Sequence, residues 1–74
     1  MIYITQLIYI KDKEESAFQQ FENMAIPIIA KYNGELLLRV RTEESAIIEM
    51  NIETPYEIHI IRFNTDTDFQ NFMQ

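Results

Sequence analysis

Ile28-Ile29-Ala30-Lys31-Tyr32-Asn33-Gly34-Glu35-Leu36-Leu37-Leu38-Arg39 holds the end of an amphipathic helix, its stop signal and the strand that follows. Asn33-Gly34 ends the helix, because Gly34, the chain's one glycine, can take the left-handed C′ conformation that a side chain disfavours. Upstream, Phe18, Phe21, Ala25, Ile28, Ile29 and Tyr32 recur at three- and four-residue spacing, which predicts one apolar stripe facing a sheet. Pro27 falls inside that span, where it removes a backbone donor, and the pattern continues in phase beyond it. One bent helix is therefore expected. Asp12 and Glu15 supply a D-x-x-E capping box at its start. Downstream, Glu35 to Thr42 alternates: Leu36, Leu38 and Val40 are placed beneath the helix, and Leu37, Arg39 and Arg41 on the opposite face.

The flanking segments supply partners for this unit. From Ile2 to Ile10 the chain is rich in β-branched and aromatic residues, with Ile2, Ile4, Ile8 and Ile10 on one face and Tyr3, Thr5, Leu7 and Tyr9 on the other. Neither face is polar enough for water, so the strand is expected to be covered on both sides. Gln6 interrupts the isoleucine face and is read as a hydrogen-bonded amide. After the polar turn Thr42-Glu43-Glu44-Ser45, alternation from Ala46 to Ile52 predicts a short edge strand or a bulged extension of the hairpin, which Glu53-Thr54-Pro55 ends. Tyr56 to Phe63 forms a third main strand, with Glu57, His59, Ile61 and Phe63 on one face and Tyr56, Ile58, Ile60 and Arg62 on the other. Thr65 caps a second helix, with Asp68 three residues on and Phe69, Phe72 and Met73 opening an apolar stripe.

A chain of 74 residues, 47% apolar, is one domain spanning residues 1–74, and its core is small for its surface. It has no cysteine, so neither disulfides nor a thiolate metal site can supplement that core, and pairing with a second copy becomes the expected stabiliser. The net charge of −6, without a basic stripe, opposes nucleic acid as a partner. No apolar run approaches the roughly 20 residues of a membrane span, and no signal-peptide pattern opens the chain, so a cytoplasmic protein without a membrane partner is expected. With Gly34 alone, phosphate-binding loops and nucleophile elbows are excluded. No metal or cofactor is expected: His59 is the sole imidazole, read as a hydrogen-bonded structural residue rather than a general base, and Asp66 and Asp68 are explained by helix capping rather than by a calcium loop.

The order strand, long helix, strand, strand, helix is that of a ferredoxin-like α+β domain whose fourth strand is missing, which reads as C-terminal truncation. Asp12 opening the helix, Pro27 followed by Lys31-Tyr32-Asn33-Gly34, the Leu37-x-Arg39 strand, Glu49 after the turn and the apolar strand ending in Phe63 resemble a domain-of-unknown-function family of the dimeric α+β barrel superfamily. The resemblance covers almost all of the chain. It implies a homodimer in which two sheets pack face to face across a two-fold axis around a small cavity. The family's own activity is not established, while superfamily relatives include small monooxygenases, isomerases and dechlorination-type enzymes. Arg62 departs from the acidic residue the family carries before its phenylalanine, which removes the carboxylate that would face Arg39.

In that setting Arg39 and Arg62, with Arg41, are candidates to bind a small anionic or carbonyl-bearing molecule in the inter-sheet cavity, with Tyr9 and Tyr3 along its wall. The competing reading pairs the arginines with Glu49 and Glu57 as cross-strand partners. Two further functions are carried forward: a cofactor-independent small oxygenase or isomerase with Arg39 as electrophilic helper, and a structural or regulatory interaction module.

Overall fold

A computed structural model describes residues Met1–Gln74. The chain runs β1 (Ile2–Ile8), α1 (Glu15–Lys31), β2 (Gly34–Arg41), a single 3₁₀ turn at Glu44–Ala46, β3 (Glu57–Phe63) and α2 (Asp66–Phe72). The strands form one antiparallel sheet in the order β1-β3-β2, with both helices on the same face, an α+β arrangement compatible with the ferredoxin-like order. No helix is long and apolar enough to cross a membrane.

Position in the sheet follows from residue pattern. Strand β3 is central, and its Glu57, His59, Ile61 and Phe63 are all buried beneath α1 and α2. Ile29 of α1 meets Ile61 and Phe63, and Ile2, Ile4, Leu36, Phe69 and Phe72 pack around this nucleus. Phe63 is the hub: its ring lies 5.6 Å from that of Phe69 and 5.2 Å from that of Phe72. Thr65 caps α2 as its sequence indicates, its hydroxyl accepting from the Asp68 N–H at 3.0 Å.

Several local expectations are corrected. The Asp12 capping box does not form: Lys13 takes a positive φ of 68°, which turns the chain before Glu14 and leaves Asp12 outside the first turn. β1 ends at Ile8 rather than Ile10. At the far end of α1 it is Asn33, at φ 60°, that adopts the left-handed conformation, and Gly34 already belongs to β2. Gly34 is required for space instead. A Cβ there would sit 2.6 Å from Phe63 Cε1 and 2.7 Å from Ile29 Cγ2.

Helix α1 runs unbroken through Pro27. Its inward stripe is Phe18, Glu22, Ala25, Ile26 and Ile29, whereas Phe21, Ile28 and Tyr32 of the expected stripe are rotated toward solvent. The edge strand expected over Ala46–Ile52 is absent. Ala46 and Ile47 donate instead to Glu43 and Glu44 carbonyls in the 3₁₀ turn, which directs the chain away from the β2 edge and across the helix-free face of the sheet.

The decisive correction lies in β2. Leu36 faces Ile61, but Leu38 faces Ile60, so Leu37 is an extra residue and a β-bulge interrupts the alternation. Beyond it every side chain changes face. Leu38 and Val40 lie opposite Ile60 and Ile58 on the bare side, while Arg39 and Arg41 lie opposite His59 and Glu57 on the helix side. Electrostatics explains the bulge: Glu57 is buried under α1, and without it the carboxylate would lose both arginine partners, an arrangement costing several kcal/mol.

Candidate functional site

Two rows of side chains cross the helix-side face beneath the N-terminal half of α1. One is Gln6, His59 and Arg39; the next is Ile8, Glu57 and Arg41. Glu57, 2% exposed, is their centre. It accepts from Arg39 Nε at 2.7 Å and Nη2 at 3.2 Å, and from Arg41 Nη2 at 2.8 Å and Nε at 3.2 Å. Its Oε1 also lies 2.9 Å from His59 Nε2. Burial pushes the Glu57 pKa upward, but hydrogen bonds from Arg39, His59 and Arg41, together with the Arg39 charge, outweigh it and hold Glu57 at about 2. The same hydrogen bond to Glu57 raises the pKa of Arg39.

The arginines are further fixed. Arg39 Nη2 donates to Gln19 Oε1 at 3.2 Å, and its guanidinium lies 5.9 Å from the Phe18 ring centre. Arg41 lies 4.2 Å from the centre of Tyr56. Because Glu57 is ionised and can only accept, His59 Nε2 carries the proton of their hydrogen bond, which in the neutral ring leaves Nδ1 as a lone-pair acceptor. Nδ1 points toward Glu22 Oε2 at 4.0 Å, beyond hydrogen-bonding distance.

Beside this cluster is a cavity of about 250 Å³, roofed by α1 and floored by β1 and β3. Its walls are mainly apolar, from Ile8, Ala25, Ile26, Ile29 and Phe72, and three polar side chains face it: Gln6, Glu22 and His59. Glu22, 7% exposed, accepts no hydrogen bond from the protein. The Gln6 amide, expected to be hydrogen-bonded, has no side-chain partner either. No three histidine, aspartate or glutamate side chains converge as a metal-binding set.

The opposite face has no helix over it. Tyr3, Leu7, Leu38 and Val40 are exposed there, with Ile58 and Ile60 half-buried between them. The loop after the 3₁₀ turn borders a hollow of about 460 Å³ on this side, lined by Leu7, Ile47, Met50, Ile52, Pro55 and Ile58. Arg62 belongs to this face and donates to Glu35 Oε2 at 2.9 Å, while its Nε is buried without an acceptor.

The five residues singled out in the sequence thus fall in three places. Tyr3 and Arg62 are cross-strand neighbours on the bare face. Arg39 lies on the helix side with Arg41, in the grip of Glu57, so Arg39 and Arg62 do not converge on one inter-sheet cavity. Arg41 and Tyr9 share a polar hollow of about 400 Å³ at the strand ends, where the Tyr9 hydroxyl donates to the Glu53 carbonyl at 2.9 Å. Of the two carboxylates weighed as arginine partners, Glu57 is one, whereas Glu49 borders the apolar hollow instead. Glu22 is the polar residue that the sequence reading missed. Its signal was a charge in helical phase with Phe18, Ala25, Ile26 and Ile29. No family model, no curated protein and no solved structure matches the chain.

Proposed function

We propose that this chain is a self-pairing binding domain in which the bare sheet face of one copy packs against that of a second, with the hollow beside Leu7 and Ile58 becoming a chamber for a small, mainly apolar molecule. The observation that carries this reading is the row of exposed apolar side chains, Tyr3, Leu7, Leu38 and Val40, on a face that no helix covers and that the loop after the 3₁₀ turn borders only at its Leu7 and Ile58 end. Two points favour a second copy as the cover. Only seven of 74 residues are buried and only three of those are core hydrophobics, too few for a chain of this size to depend on its own core. The face is also self-complementary: Arg62 stands at one end and Glu49 borders the other, so a two-fold axis running across the strands sets opposite charges against each other.

A carbonyl-bearing ligand suits this chamber better than an anion, because Arg39 and Arg41 are turned to the other side of the sheet and engaged by Glu57. Sedimentation equilibrium tests the pairing. The expected mass is twice the 8.9 kDa of one chain, falling to that of a monomer for Val40→Asp, whose carboxylate would be buried in the interface. A wild-type monomer at 100 micromolar, or a Val40→Asp protein that still pairs, would refute it.

A further inference from the structure

The cavity on the helix side is separate from the pairing face and carries its own chemistry. Its polar groups all converge from different elements: Gln6 from β1, His59 from β3 and Glu22 from α1. Glu22 is the telling member. It is more than nine-tenths buried, faces the cavity and has no hydrogen-bond donor from the protein, so its oxygens meet only the solvent that the cavity admits. A carboxyl group in an apolar helix stripe is costly to bury unless something else supplies the donor.

We propose that this cavity binds a small primary amine, its N–H groups donating to Glu22, His59 Nδ1 and the Gln6 amide oxygen, its hydrocarbon tail lying against Ile8, Ala25 and Ile26. The separation of 4.0 Å between Glu22 Oε2 and His59 Nδ1 is too long for a direct hydrogen bond, yet one nitrogen set to the side of that line reaches both. Two acceptors aimed at one point require a head with at least two donors. An alcohol has a single donor and leaves one acceptor unfilled, and a carboxylate meets Glu22 with like charge. The net charge of −6 further favours a cation over an anion. Volume bounds the ligand: about 250 Å³ is the liquid volume of roughly eight waters, which admits a branched or aromatic amine of fewer than about ten non-hydrogen atoms.

Arg39 and Arg41 shape the site from behind. By engaging Glu57 as an acceptor they place a proton on His59 Nε2, and in the neutral ring the remaining lone pair is that of Nδ1, on the Glu22 side. The three probes that separate the chemistries share one carbon skeleton: isoamylamine, isoamyl alcohol and isovalerate. Each is titrated into the uniformly ¹⁵N-labelled 74-residue chain near pH 7, following backbone amides, the Gln6 side-chain amide and the His59 ring nitrogens. Isoamylamine is expected to give saturable shifts at Gln6, Ala25, Ile26 and His59, with at least tenfold weaker binding of the alcohol and no saturation by isovalerate. Glu22→Gln is expected to weaken the amine at least tenfold. Ala25→Leu, which fills the cavity with hydrocarbon and leaves Glu22 in place, is expected to abolish binding while keeping a dispersed spectrum, and it decides the matter should Glu22→Gln not fold. The proposal is overturned if the amine does not saturate, if the alcohol or isovalerate binds as tightly, or if Ala25→Leu binds the amine undiminished.

Discussion

Glu57 and Gly34 show how much of this fold rests on single positions. Replacing Glu57 by Gln leaves Arg39 and Arg41 facing a neutral amide and removes a partner from a pair that is nearly dry on the carboxylate side. Breaking such a pair costs on the order of 3–5 kcal/mol, so chemical denaturation of Glu57→Gln is expected to show a loss of that size, or a chain already unfolded. The same group makes stability depend on acid. Its folded pKa of about 2 lies below its ordinary value of 4.5, so its contribution is complete above about pH 4.5 and is lost as the pH falls toward 2. Urea midpoints measured across that range are expected to decline, and the decline should be shallower in Glu57→Gln. At Gly34 the argument is steric. A methyl group would strike the Phe63 ring and Ile29 within the core, so Gly34→Ala is expected to cost about 1–3 kcal/mol by thermal denaturation, although Ala is ordinarily a better tolerated residue than Gly in a strand.

Among the elements, β2 holds one residue more than its pairing with β3 uses, and the bulge absorbs it. Deleting Leu37 removes the extra residue and restores strict alternation with Leu36 opposite Ile61, Leu38 opposite Ile60 and both arginines still on the helix side at Glu57. That variant is expected to keep its dispersed amide spectrum and its Glu57 pairing. Deleting Ile48, which is fully exposed in the loop after the 3₁₀ turn, is expected to preserve the spectrum as well. The strands and helices themselves were legible in the sequence because period-two and period-3.6 patterns report burial directly, and Thr65 with Asp68 carried its own capping chemistry. The bulge was not legible. Three consecutive leucines, Leu36-Leu37-Leu38, read equally well in either phase, and what breaks the tie is the distant Glu57, whose pairing demand no local window contains. The same limit explains Glu22. Rotating α1 by one position places Phe21 outside and a carboxyl inside, a choice that hydrophobic periodicity alone disfavours and that the polar row of Gln6, His59 and Arg39 beneath it makes sensible. At the helix end, Asn33 takes the left-handed conformation that the sequence suggests for Gly34, and the need for Gly34, set by Phe63 and Ile29, is one that no local pattern contains.

At the scale of the whole molecule, the sheet separates two chemistries. Its helix side buries charge, with Glu57, Arg39, Arg41 and His59 in contact and Glu22 nearby, and its other side presents hydrocarbon to the surroundings. This division fits a chain whose acidic surplus is kept away from the surface through which it would meet its own copy, since repulsion between exposed charges weakens beyond a Debye length of about 8 Å at physiological salt. It also separates the two proposals. Pairing tests the bare face, and amine binding tests the cavity under α1. Either can fail without the other. The most direct measurement is an isotope-filtered nuclear Overhauser experiment on a mixture of ¹³C-labelled and unlabelled chains, which records only contacts between different copies. The predicted result is a set of intermolecular contacts from the methyl groups of Leu7, Leu38, Val40 and Ile60. Their absence, or intermolecular contacts arising only from Met24 and Ile28 on the outer side of α1, would contradict the account.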